Sequence, residues 1–494
     1  MGGRREPAGV QCAGAPQARA PGRADRGPRL SGGRRVIVIG GGLAGIAAAL
    51  DCAAGGANVT LLEVRRRLGG AAYSFEREGM QVDNGQHVFM RCCVAYRRLL
   101  ARLGSERSVF LQPRLRVPVL SPGSAPSALA RGALPAPLHM AGSFLRYRHL
   151  TAAQRLRAAR AALALARLDP DDAALDEVSF GQWLERHGQD RDAVEAFWDV
   201  IVRPTLNAQA SEASLALGVF VFHTALLANA DAGDIGFHAA PLSDTIGEPA
   251  RRALSDAGVD VLLGWRAEGL EREAGGYLVR GGGEELGAQA VIVAVPHARA
   301  AVLLGGLAPE LARRVGALGS SPIVNLHVVY DRRVCEEPFA AGVRTPVQYI
   351  VDRTAAGGVP AGHQYLAISL SGAAREMQMS VPALREAFLP ALRALLPRAR
   401  EARVERFFVT REHAARNVAA PGPAALRPGA RTPLPGLLLA GAWTRTGWPA
   451  TLEGAVLSGH AAAAAALEQL QLTPAGARAP EPALSGAPPP GAGA

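Results

Sequence analysis

Lysine does not occur in this chain: of 494 residues, 54 are Lys or Arg, and every one of them is arginine. Any mechanism that needs a lysine is therefore excluded. Aromatic residues make up only 5%, too few to suggest an aromatic cage around an ammonium ligand. The five cysteines (Cys12, Cys52, Cys92, Cys93 and Cys335) show neither metal-ligand spacing nor a paired framework. No metal is expected, and a reducing, cytoplasmic setting is. No uninterrupted run of about 18 apolar residues is present, so no membrane span is expected. The Arg-Arg pair near the N-terminus precedes no apolar stretch and makes a poor export signal.

Acidic residues are also outnumbered, 43 to 54, leaving a net charge of +11. Much of the excess sits in the first 33 residues, and no RNA- or DNA-binding motif appears in the body, so nucleic acid is not an expected partner. A basic tail of this kind is compatible with contact at the cytoplasmic face of an anionic membrane. Residues 1–33 and 473–494 have few large apolar side chains and are expected to be disordered. At 49% hydrophobic and 20% charged residues, the sequence as a whole describes a folded chain, long enough for two or three packing units.

The informative stretches are those rich in glycine. In RRVIVIGGGLAGIAAAL, from Arg34, a β-branched run predicts a buried strand and the residues from Leu43 predict a helix. Between them Gly40, Gly42 and Gly45 spell G-x-G-x-x-G, which permits a tight turn, backbone approach to a pyrophosphate and close helix–strand packing. The helix start, with the amides of Leu43 and Ala44, would take the phosphates. A second strand, ANVTLLEV, ends at Glu63, placed to bind both hydroxyls of a ribose and to disfavour a 2′-phosphate.

Near the other end, GLLLAGAW (Gly436 to Trp443) predicts another buried strand. A loop with Pro449 and the N-cap candidate Thr451 then leads into an alanine-rich helix at Glu453, Gly454 and Ala455. Val259 to Pro296 alternates short strands with glycine turns and closes on a β-branched strand. Residues 91–233 read as helical, and HLTAAQRLRAARAALALARL (His149 to Leu168) puts arginines on one side of a helix that could lie on a bilayer.

The continuation EVRRRLGGAAYSF resembles the two-dinucleotide-binding flavoproteins, which include amine oxidases and phytoene-desaturase-like enzymes: Glu63, Arg67, Gly69 and Gly70 match their motif. The resemblance implies an α/β fold with a Rossmann-like FAD domain, a mixed α+β substrate domain and a helical insert. It implies FAD as cofactor, Gly441 ending the last strand of the FAD domain, and amides at Glu453, Gly454 and Ala455 facing the pyrimidine end of the flavin. The FAD domain would be assembled from 34–90, 234–300 and 431–472, with 91–233 as the insert and 301–430 as the substrate domain. Two positions depart from the family pattern: Ala71 stands where an arginine or lysine is common, and Ala442 where an aspartate is.

Four blocks narrow the resemblance: VDNGQHVFMRCCVAYRRLLARLG, FWDVIVRPTLNAQASEAS, PLSDTIGEPARRALSDAG and AWTRTGWPATLEGAVLSG look like those of hydroxysqualene dehydroxylases. That family's reaction is reductive removal of a hydroxyl from a long apolar isoprenoid alcohol within squalene and hopanoid biosynthesis, where other squalene-pathway enzymes are natural neighbours. Asp83 and His87, in VDNGQHVF, are the candidate proton donors, with Asp231, Asp234 and His238 behind them. A carotenoid-type desaturase and a non-catalytic scaffold for prenyl-chain enzymes are the alternatives. An amine oxidase is disfavoured by the missing lysine.

Overall fold

Five short strands form one parallel sheet at the centre of the molecule, four of them largely buried and the edge strand Asp260–Leu263 partly exposed. The computed structural model describes residues 33–472, so the expectations for the two tails lie outside the described residues. Across the sheet the order is Asp260–Leu263, Asn58–Glu63, Arg35–Ile39, Ala290–Val293, Leu437–Leu439. Val38 stands between Leu61 and Ile292, and Ile292 in turn pairs with Leu438. Residues buried on both faces explain why these strands read as continuous β-branched and leucine runs. The order reverses between Arg35–Ile39 and Ala290–Val293, which opens a crevice at their C-terminal ends.

Two helices pack side by side on one face of this sheet, Leu43–Ala54 and Leu452–Gln469. Small residues set their separation. A Cβ on Gly459 would lie 2.3 Å from the Ala44 carbonyl oxygen and 2.9 Å from the Ala47 methyl. Both helices start at the C-terminal edge of the sheet, so both present their N-terminal ends to the crevice. On the far side, a three-stranded antiparallel sheet (Gly269–Glu273, Gly276–Gly281, Glu284–Ala288) packs through Leu270, Tyr277 and Val279.

A second, seven-stranded sheet carries the rest of the chain: Val404–Arg416, Ser321–Tyr330, Gln364–Ser371, Tyr349–Asp352, Phe339–Gly342, Arg116–Leu120 and Ser127–Ala130. Its last two strands correct the reading of 91–233 as helical. Arg116–Leu120 pairs in parallel with Phe339–Gly342, and Val109–Leu111 pairs with Ile235–His238. These pairings join segments more than 100 residues apart, so local composition carries no sign of them. The helices of the insert share one core with this sheet, Phe180, Trp198 and Phe222 together with Phe339, Tyr349 and Val351. The helix expected over His149 to Leu168 spans Ala152–Leu165, capped by Thr151, whose hydroxyl accepts the Gln154 amide.

Replacing Gly459 by valine should force the two central helices apart. We expect a loss of about 2–3 kcal/mol and a weaker hold on any ligand of the crevice, measured by urea denaturation; an unchanged midpoint would refute the packing argument.

Candidate functional site

The crevice is lined by the first glycine loop. Gly40 has φ +114°, and a Cβ there would meet the Ala294 carbonyl oxygen at 2.4 Å. A Cβ on Gly45 would lie 1.8 Å from the Gly40 carbonyl oxygen, so the helix can start this close to the strand only with glycine at both places. Gly42 differs: a Cβ there would meet nothing nearer than the Gly70 Cα at 3.7 Å, so its open side faces free space. Gly42 also leaves the helix without a side-chain cap. The first helical bond runs from the Ile46 amide to the Gly42 carbonyl, and the amides of Leu43, Ala44 and Gly45 have no capping side chain. Such a helix start suits an anion.

Glu63 and the second glycine pair complete the loop. The buried Glu63 carboxylate accepts the Gly41 amide at 2.7 Å and the Arg65 amide at 2.8 Å, which fixes it beside the loop. Gly69 and Gly70 (φ +100° and +59°) bring their chain against Gly42, and the Gly69 amide donates to the Gly41 carbonyl. Arg67 lies over the Tyr73 ring, 3.4 Å from its centroid, and gives one nitrogen to the Gly70 carbonyl. Its buried Nη2 has no partner. A guanidinium nitrogen held in this way next to an open glycine loop fits a phosphate oxygen.

The C-terminal helix corrects part of the sequence reading. Thr451 caps it as expected, but it also takes two of the three amides expected to face the flavin, those of Gly454 and Ala455. Gly454 donates to the Thr451 hydroxyl at 3.2 Å and Ala455 to the Thr451 carbonyl at 3.0 Å. Among the described residues, the first-turn amides left without a partner belong to Leu452 and Glu453. The Glu453 side chain points away from the crevice: its carboxylate accepts the Ala95 amide at 2.9 Å and the Tyr96 amide at 2.7 Å, capping the helix Val94–Arg102. Burial raises its pKa, and these two amides oppose the shift. Gly441 (φ +139°) ends the last strand and donates its amide to the Ser458 hydroxyl, tying the loop to the helix.

Asp83 and His87 line a second opening of ≈ 230 Å³ together with Gln86, His238 and Arg353. Asp83 is buried and fully engaged. It accepts from Arg353 at 2.6 Å, from the Ser74 hydroxyl at 2.7 Å and from the Leu242 amide at 3.1 Å. Burial raises its pKa and the Arg353 cation opposes this. His87 is half-buried, and desolvation with the nearby Arg416 charge pushes it down to about 4. His238 is pushed down to about 3 by burial, and its tautomer is fixed by its partners. Nδ1 donates to the His87 carbonyl at 2.7 Å, and Nε2 accepts from the Tyr96 hydroxyl at 2.7 Å.

The remaining acidic candidates lie elsewhere. Asp234, without exposed surface, is held by Arg91, Arg131 and the Leu115 amide and joins the insert to the strand Ile235–His238. Asp231 is exposed beside Arg91.

Several polar groups at the site carry no sequence signal. Arg353 bonds Asp83 and the His238 carbonyl at once, 270 residues away from the former. The Oδ1 of Asn325 and the Nε2 of Gln86 are buried without a partner. Asn325 Nδ2 and His87 Nε2 come within 3.7 and 3.8 Å of the position a Gly85 Cβ would take. A third opening, a cleft of ≈ 410 Å³, runs from Arg416 to Pro449 and Ala450, in the loop that leads into the C-terminal helix. Arg416 donates to the Thr205 carbonyl, and burial pushes its pKa down to about 10. Only a pattern linking residues far apart in the chain could have singled these out.

A doubly wound sheet, a glycine crevice between two helix starts and a second sheet facing it define a dinucleotide-dependent oxidoreductase. The flavin containing amine oxidoreductase family matches residues 43–467, and the chain belongs to it. It is thus an FAD-dependent oxidoreductase, and the open Gly42, the unpaired Arg67 nitrogen and the fixed Glu63 fit that cofactor. A hydroxysqualene dehydroxylase of Sinorhizobium fredii is 27% identical over 88% of this chain and 99% of its own. A ζ-carotene desaturase of Zea mays is 33% identical over 36% of this chain, so the chain spans about a third (32%) of that relative. Cyclohexylamine oxidase from Brevibacterium oxydans IH-35A has the same fold, with TM-score 0.67 at 19% identity over 89% of this chain and 100% of its own.

Arg67→Met should weaken FAD binding by roughly 1.5–3 kcal/mol, the range for a charged hydrogen bond, with the apoprotein melting little changed. Equilibrium dialysis checks this, and unaltered flavin retention would count against the phosphate role. Acid stability offers a second test. His238 and His327 are buried and pushed down to about 3, whereas unfolding returns them to about 6.5. Below about pH 6.5 the unfolded chain therefore binds more protons, and stability falls with pH by up to about 1.4 kcal/mol per unit for each ring. His327→Gln should flatten urea midpoints between pH 7 and pH 5, and parallel profiles would contradict it.

Proposed function

We propose that the protein reductively removes the hydroxyl of hydroxysqualene to give squalene. The extent of the likeness carries this reading. The dehydroxylase alignment runs through both the cofactor sheet and the substrate sheet, while the ζ-carotene desaturase alignment is confined to about a third of the chain (88% against 36%). In the net reaction the C–O bond breaks, the departing oxygen takes up one proton and leaves as water, and the carbon receives a hydride equivalent. FAD, when bound and reduced by two electrons, would supply that electron pair, and an external reductant would restore it.

The chain's own residues have three tasks in this scheme. Arg67, the glycine loop and Glu63 hold the cofactor. Val88, Phe237 and Val351 supply the apolar part of the lining beside His87, the part a hydrocarbon would contact. His87 donates the proton. The Ala71 carbonyl engages its ring, so the remaining nitrogen releases a proton only from the imidazolium form. Asp83 and Arg353 act as positioning residues, fixing the strand Met80–Asp83 against the His238 carbonyl. An allylic alcohol needs little more, because its cation is delocalised. A substrate of this class resides in lipid, so contact with a membrane belongs to the reading.

Anaerobic incubation of chemically reduced enzyme with hydroxysqualene should yield squalene by mass analysis. Oxidation of phytoene instead would favour a desaturase, and a purified protein with no flavin absorption band would favour a scaffold. Because burial holds His87 down to about 4, turnover should rise as pH falls below neutrality until the fold is lost. His87→Gln should keep its flavin, lose about 10²-fold in kcat and flatten that profile; full activity would remove His87 from the mechanism.

A further inference from the structure

From Arg107 to Leu168 the chain contains ten arginines and no aspartate or glutamate. Carboxylates from other segments take three of these arginines: Glu337 pairs with Arg116, Asp234 with Arg131 and Asp190 with Arg157. Arg155 turns inward and donates to the carbonyls of Tyr147 and Leu150. Arg146, Arg148, Arg160 and Arg167 are exposed and have no carboxylate partner among the described residues.

Large apolar side chains are exposed in the same segment. Leu134 (54%), Leu138 (57%), Leu145 (70%), Leu156 (55%) and Leu163 (56%) all keep more than half of their surface in solvent. Single exposed leucines need no explanation, but five within thirty residues do. The helix Ala152–Leu165 shows the pattern most clearly. Gln154, Ala158, Ala161 and Leu165 form its buried face. Ala152, Leu156, Arg160, Leu163 and Arg167 follow one another at intervals of three and four along the outer side. Leucine and arginine thus alternate along the side that faces away from the protein, while Arg155 pins the helix to the preceding loop.

We propose that the outer stripe of the Ala152–Leu165 helix, together with the exposed leucines Leu134, Leu138 and Leu145, docks on an anionic lipid bilayer. The leucines enter the boundary between headgroups and acyl chains, and Arg146, Arg148, Arg160 and Arg167 pair with lipid phosphates. A second copy of this chain fits poorly, because a two-fold contact would set arginines against arginines with no carboxylate between them. No helix among the described residues is long and apolar enough to cross a membrane, so the contact is peripheral. For its purpose, delivery of a lipid-soluble substrate, the inference rests on the function proposed above; its existence follows from the exposed residues.

Flotation of the full chain with vesicles tests it without turnover, so its failure is separate from that of the proposed reaction. Binding to phosphatidylcholine vesicles containing phosphatidylglycerol should exceed binding to phosphatidylcholine alone by at least about tenfold, with about fivefold lost per arginine in Arg160→Gln and Arg167→Gln. The triple variant Leu145→Asp, Leu156→Asp, Leu163→Asp should lose binding while keeping its melting temperature, its flavin and its rate on detergent-dispersed substrate. Vesicle binding that is absent, or equal in the leucine variant, overturns the proposal. So does a leucine variant that turns a dimer into a monomer with its lipid binding intact.

Discussion

Backbone touching backbone is the constraint on which the site depends. Gly45 rests against the Gly40 carbonyl, Gly40 against Ala294, Gly70 against Gly42 and Gly459 against Ala44. At each contact a methyl group would intrude, and together the contacts bring two helix starts to the edge of one sheet. The positive ends of both helices then converge on the crevice, where an anionic dinucleotide gains most from them. Packing and electrostatics are here one arrangement, since the distance that glycine allows is the distance over which the amides act.

A second theme is the use of arginine as a structural clamp. Arg427 holds the loop after the last cofactor strand through the carbonyls of Ala442 and Thr444. Arg353 joins Asp83 to two carbonyls of the segment around His238, and Arg131 joins Asp234 to Pro113. A planar fork with five donors can serve several acceptors in fixed directions, which a lysine ammonium does less well. The buried histidines complement these cations by staying neutral, so the interior around the second opening holds few uncompensated charges.

The fold was legible where the signal is local. Strand, glycine turn and helix at Val36–Leu50 could be read directly, as could the short strands of Val259–Pro296 and the Thr451 cap, because each depends on residues within a few positions. Tertiary pairing escaped the reading. Nothing near Arg116 shows that it borders Phe339–Gly342, and nothing near Glu453 shows that its carboxylate caps the helix at Val94. At the site, glycines and Glu63 declare themselves by spacing, whereas Arg353, Asn325 and Arg416 are ordinary strand or loop residues until distant segments meet. The Glu453 case is instructive: an acid at a helix start can serve its own helix, a ligand or a neighbour, and spacing alone does not distinguish them.

The order of strands in the central sheet also has a consequence for biogenesis. Arg35–Ile39 leaves the ribosome early, but the strand Ala290–Val293 that flanks it follows about 250 residues later, and Leu437–Leu439 later still. Until the C-terminal helix emerges to cover Leu43–Ala54, the nascent polypeptide carries an unpaired β edge and a bare apolar helix face, the surfaces on which chaperones act. Closure of the crevice thereby waits for Leu452–Gln469, and a chain that stopped thirty residues before 472 would lack the helix that closes it.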